Sequence, residues 1–158
     1  MSDVTIVEVP AQLVLGVQRR GRYSEIPVAL GEIVHYAMSH GAELIGMPVA
    51  MMHEIGKDAA VKADREGTAV IDVAFPIAQL VESSDIVKCY ELPGGEMAKI
   101  VHKGPYEACE SAYHALYAWV VDHGYMISDP TREVYLNDPR EVPPEEVLTE
   151  IYAPIVPA

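Results

Sequence analysis

The chain has 158 residues, half of them apolar, and a formal charge of −13 from 24 acidic against 11 basic side chains. That length and apolar content suit a single globular domain, about 1–158, and exclude a disordered chain, while the charge repels phosphate backbones and anionic membranes and so argues against direct nucleic-acid binding. No run of about 18 apolar residues exists, and Met1-Ser2-Asp3 opens the chain without a basic stretch ahead of an apolar one; neither a membrane span nor a signal peptide is expected, and the expected location is cytoplasmic.

Residues 4–9 and 12–18 are apolar, β-branched runs joined across Pro10-Ala11, and they read as a β-hairpin. From Ser24 the apolar spacing turns helical through Ile26, Ile33 and Ala37, with Ser24 as N-cap, Pro27 in the first turn and Gly41 as the left-handed stop. His40 then belongs to the negative end of a helix rather than to a metal site. A third extended segment covers about 47–53. Gly56-Lys57-Asp58-Ala59 through Arg65-Glu66-Gly67 reads as a polar surface loop, and residues 68–75 as a fourth strand ending at Pro76. Residues 78–86 form a short crossover. Cys89 and Cys109 fit reduced core thiols, and no Cys or His spacing points to a metal or a cofactor.

The second half repeats the first. A shift of 83 positions carries Val4, Glu8, Pro10, Gly21, Tyr23, Ala29, His40 and Gly41 onto Val87, Glu91, Pro93, Gly104, Tyr106, Ala112, His123 and Gly124. Beyond the long loop the shift becomes 78, so that Pro76-Ile77 meets Pro154-Ile155. The expected fold is therefore α+β: two β-β-α-β-β units, about 3–77 and 86–156, related by a pseudo-twofold and sharing a mostly antiparallel sheet with two main helices.

The second copy carries a strand carboxylate that the first lacks. Glu133 stands where the first copy has Ala50, and strand alternation places Thr131, Glu133, Tyr135 and Asn137 on one face with Val134 and Leu136 on the other. If the apolar face meets the helices, Glu133 and Tyr135 share the opposite, more open face, with Ala50 and Met52 of the first copy lining another wall. Tyr152 and Tyr90 bring further rings from the flanking strands. Tyr113 and Trp119 stand in the apolar arc of a second helix, about 105–123, each with a polar tip that needs a partner. A carboxylate ringed by aromatics would hold a flat lipophilic cation; the other reading has Glu133 paired with Arg132 or facing water.

The ordered set Glu91-Leu92-Pro93-Gly94-Gly95, Lys103-Gly104-Pro105-Tyr106-Glu107, Asp122-His123-Gly124-Tyr125, Arg132-Glu133-Val134-Tyr135-Leu136-Asn137-Asp138-Pro139 and Leu148-Thr149-Glu150-Ile151-Tyr152-Ala153-Pro154-Ile155 resembles the GyrI-like small-molecule-binding family, which includes the effector-binding domains of AraC- and MerR-type multidrug-responsive transcription activators. The resemblance implies a pocket for bulky hydrophobic, often cationic compounds, with Glu133 as charge partner and Tyr152, Tyr113 and Trp119 lining it. Since Val4 already belongs to the domain, a stand-alone binder without DNA-binding helices is expected. Some stand-alone members hydrolyse cyclopropane-containing toxic compounds with a pocket glutamate and tyrosine, which here would make Glu133 and Tyr135 catalytic. A protein partner, such as the gyrase of the family name, is a third expectation that no residue localises.

Overall fold

The computed structural model describes residues 3–54, 56–138 and 140–158. In chain order these form β1 (Thr5–Val9), β2 (Gln12–Gly21), α1 (Ile26–His40), β3 (Val49–Met52), α2 (Lys57–Glu66), β4 (Ala69–Pro76), β5 (Lys88–Leu92), β6 (Gly95–Lys103), α3 (Glu110–Asp122), β7 (Tyr125–Ile127), β8 (Thr131–Tyr135) and β9 (Leu148–Pro157). Pro139 of the last-but-one sequence motif lies outside the described residues. The architecture is α+β with antiparallel strand pairing.

The expected hairpins do not form. A two-residue hairpin of the favoured types needs a positive φ at its first central residue, and the proline ring of Pro10 forbids it. β1 instead pairs with β6, and β5 pairs with β2; Pro93 at the β5–β6 junction imposes the same restriction. The sequence repeats thus exchange their first strands. Two compact units result, one spanning Ala11–Pro93 and the other combining Met1–Pro10 with Gly94–Ala158.

In the Ala11–Pro93 unit the strand order is β3-β4-β2-β5. α1 packs on β2 and β4 through Ala29, Ile33 and Ala37, which recur every four residues and are all buried. Gly41 ends the helix at φ 67, as its position in the sequence implies. Ser24 is not the N-cap, because residues Tyr23–Glu25 form a 3-10 turn that shifts the cap to Glu25; the Glu25 carboxylate accepts the Arg22 N–H at 2.7 Å. The expected loop after β3 is also wrong. It is α2, a run of good helix formers bounded by Gly56 and by Gly67 at φ 70, whose polar composition leaves only small alanines on its apolar side.

In the unit containing Gly94–Ala158 the order is β1-β6-β9-β8, with β7 also pairing β9. α3 lies on β6, β7 and β9, and its Ala112, Leu116 and Val120 close a core with Ala98, Ile100, Ile151, Ala153 and Ile155. Each large aliphatic side chain fully buried there contributes about 1.5–3 kcal/mol.

The strand registers match at corresponding positions of the two sequence repeats. Ala50 faces Val73 as Glu133 faces Ile151, and Arg19 faces Ile71 as His102 faces Thr149. Even small devices recur: Val70 N donates to Glu54 and Leu148 N donates to Asn137, at 3.1 and 3.0 Å.

Candidate functional site

Register decides which way Glu133 points. Directly opposed residues of an antiparallel pair share a face, and the partner of Glu133 is Ile151, which is fully buried in the core under α3. Thr131, Glu133 and Tyr135 therefore lie on the face covered by the helix, not on the opposite open face expected from alternation. Alternation alone separates two faces without saying which is covered.

The side chains around this carboxylate come from three elements. Tyr113 of α3 donates its hydroxyl to Glu133 Oε2, and Tyr135, two residues along β8, donates to Oε1 at 3.1 Å. Tyr117, one turn beyond Tyr113, has its ring 5.8 Å from that of Tyr113, and the buried Thr131 hydroxyl acts to lower the pKa of both phenols against the rise from burial. Tyr106, in the 3-10 turn before α3, sets its ring edge-on to Tyr135 at 5.5 Å. His102 of β6 is buried nearby and its Nε2 makes a 2.9 Å hydrogen bond with the Pro105 carbonyl. Gly104 holds φ +134 directly against the His102 ring, a conformation that favours glycine.

Burial raises the carboxyl pKa of Glu133 above its ordinary value, while the hydroxyls of Tyr113 and Tyr135 and the charge of His102 act in the other direction. The two phenols are pushed up, first by burial and then by the neighbouring carboxylate, so both remain protonated donors. Among the described residues, the groups hydrogen-bonded to Glu133 are these two neutral phenols. A desolvated carboxylate held in this way has two favourable outcomes: it takes up a proton, or it receives a cation from outside. The same geometry can move a proton, since a carboxyl with raised pKa works as a general base or acid near neutrality. Among the described residues no group of three or more His, Cys, Asp or Glu side chains is placed to hold a metal ion.

The other residues singled out in the sequence fall elsewhere. Tyr152 is opposite Arg132 and Lys99, so it projects from the sheet face away from Glu133. There it donates to Glu150 at 3.0 Å, with Lys99 Nζ 2.6 Å from Glu150 and 5.5 Å from the Tyr152 ring centre. The expected ring of tyrosines around Glu133 therefore loses Tyr152, because Ile151 holds the inward position. Trp119 stacks on His123 at 4.0 Å and on Tyr125 at 6.3 Å, at the far end of α3. Ala50, Met52 and Tyr90 belong to the Ala11–Pro93 unit: Ala50 is buried opposite Val73, Met52 ends β3, and Tyr90 lies over Gly16. Sequence reasoning missed Tyr106, Tyr117, Thr131 and His102. Two of them left a signal: Tyr117 stands four residues after Tyr113, and Thr131 has the parity of Glu133.

A family model described as the GyrI-like small molecule binding domain matches residues 2–156. The fold is similar to the crystal structure of the EcmrR C-terminal domain, with a TM-score of 0.85, 19% identity, and 100% of this chain and 99% of that one covered. In the EcmrR–DNA complex the TM-score is 0.84 at 19% identity over 99% of this chain, which spans only 58% of that longer chain. A hydrolase from Listeria innocua aligns with a TM-score of 0.71 and 14% identity, covering 98% and 92% of the two chains. SAV2435 bound to tetraphenylphosphonium aligns with a TM-score of 0.56 and 12% identity, covering 98% and 94%. At these identities the likeness is one of fold.

Proposed function

The chain belongs to the GyrI-like small-molecule-binding family, and on that premise we propose that it binds bulky hydrophobic cations at the Glu133 site. One observation carries this reading: a desolvated carboxylate held by two neutral phenols, with Tyr106 and Tyr117 beside it. A lipophilic cation supplies the missing charge, and its loosely hydrated surface costs little to strip of water. Each cation–π contact with a tyrosine ring adds about 0.5–2 kcal/mol. The neighbour that holds tetraphenylphosphonium supports the choice of ligand class. The formal charge of −13 supports a binder or sensor that does not itself contact nucleic acid. The test is a fluorescence titration with a rhodamine dye, competed by tetraphenylphosphonium. Glu133→Gln should weaken both at least about tenfold, the scale of one lost charge-assisted contact; unchanged affinity removes Glu133 from the site.

The pairing of a carboxyl of raised pKa with bound phenols favours a second reading, hydrolysis of a strained electrophile such as a cyclopropane. Glu133 would take a proton from water as its oxygen bonds to the ring carbon, and return that proton to the carbon released when the ring C–C bond breaks. Tyr113 and Tyr135 would hold the carboxyl group throughout. Mass spectrometry of a cyclopropane-bearing electrophile incubated with the protein decides: a product 18 mass units heavier, abolished in Glu133→Gln, establishes turnover.

A further inference from the structure

We propose that the Thr149 hydroxyl is a ligand-contacting group of the Glu133 site, selecting cations that also carry a neutral hydrogen-bonding group. This deepens the binding reading above and rests on it. Thr149 is 0% exposed, and its Oγ1 has no hydrogen-bond partner among the described residues. Native interiors hold few such groups, because an orphaned hydroxyl gives up its hydration for nothing.

Register places it in the site. Thr149 lies directly between His102 on β6 and Tyr135 on β8, on the same sheet face as Glu133 and under the same helix. The duplication shows that the fold does not need the hydroxyl. At the corresponding place, opposite Arg19, the first copy has Ile71, 1% exposed. The same holds for the rest of the constellation: Tyr113, Tyr117, Glu133 and Tyr135 correspond in the sequence repeat to Leu30, Val34, Ala50 and Met52. Polar groups replace apolar ones at five matched positions; Tyr113 and Tyr135 are bonded to Glu133, whereas Thr149 has no partner among the described residues. Thr149 sits diagonally across the strand pair from Glu133, a separation of roughly 7–8 Å between such positions. A bound molecule that satisfies both groups therefore carries a positive charge and, apart from it, a carbonyl, ether or N–H.

The experiment compares two probes on the intact protein: a rhodamine dye with an ester and N–H groups, and tetraphenylphosphonium, which has no hydrogen-bonding group. Thr149→Val keeps the shape and removes the hydroxyl. It should weaken the dye about three- to tenfold, the scale of one hydrogen bond, and leave tetraphenylphosphonium within about twofold. Thr149→Ser should keep the wild-type preference, and Thr149→Ala, which also lacks the hydroxyl, carries the test should the valine variant fail to fold. Equal loss of both probes, or no loss of either, overturns the Thr149 assignment while leaving Glu133 in place. Failure of wild-type protein to bind either probe overturns the binding reading itself.

Discussion

The Tyr113 hydroxyl on α3 donates to the Glu133 carboxylate on β8, so one hydrogen bond ties the helix to the strand beneath it. The bond is charge-assisted only when Glu133 is ionised, and such bonds are worth roughly twice a neutral one. Tyr113→Phe should therefore cost about 1.5–3 kcal/mol above the Glu133 pKa and about 0.5–1.5 kcal/mol below it. Urea unfolding at two pH values measures the difference, and a cost independent of pH would show that the bond does not follow the charge.

Stability should fall with rising pH through the Glu133 titration. Burial holds its pKa above the ordinary 4.5, so between 4.5 and the raised value the native protein keeps a proton that the unfolded chain has released. The native state then binds more protons, and the unfolding free energy decreases as pH rises. Glu133→Gln removes this term. The thermal midpoint of the variant should gain on wild type as pH increases from about 4 to 8, while cation affinity of the wild type strengthens over the same window. A constant offset between the two melting curves would count against a raised pKa.

Much of the plan was legible in the sequence because turns and helix ends obey local rules. Gly41 and Gly124 both take positive φ, and His40 and His123 each stack on the aromatic residue one turn earlier and bond its carbonyl. Position 133 stood out because a carboxylate stands there where the first copy has Ala50. What was not legible depends on contacts far apart in the chain. Alternation in β1 is the same whether it pairs with β2 or β6, and only the geometry of Pro10 hints at the exchange. α2 hides because its one-sided alanines are small and its composition is otherwise mostly polar. Thr149 is inconspicuous in a strand, and its importance emerges only when register puts it beside Tyr135 and shows the hydroxyl unpartnered.

Gly16 is required by packing rather than by conformation. A Cβ there would stand 2.9 Å from the Tyr90 ring and hydroxyl and 3.1 Å from the Val73 carbonyl. Gly16→Ala should destabilise the protein by about 1–3 kcal/mol, the usual range for overpacking. Combined with Tyr90→Ala, the penalty should shrink by about 0.5–3 kcal/mol in a double-mutant cycle. Simple additivity would mean that Tyr90 yields freely and the carbonyl sets the cost.

Two tyrosines on opposite faces of one strand pair test the placement of the site. Tyr135 donates to Glu133, whereas Tyr152 donates to Glu150 on the other face. Removing the Tyr135 hydroxyl takes a donor from the ionised carboxylate, raising its pKa further and leaving a smaller ionised fraction at neutral pH. Tyr135→Phe should weaken rhodamine binding about threefold or more at pH 7, with recovery at higher pH. Tyr152→Phe should leave affinity within about twofold, because its loss is felt by Glu150 and Lys99. The reverse pattern would move the cation site to the Tyr152 face of β9, where Lys99 Nζ already stands 2.6 Å from the Glu150 carboxylate.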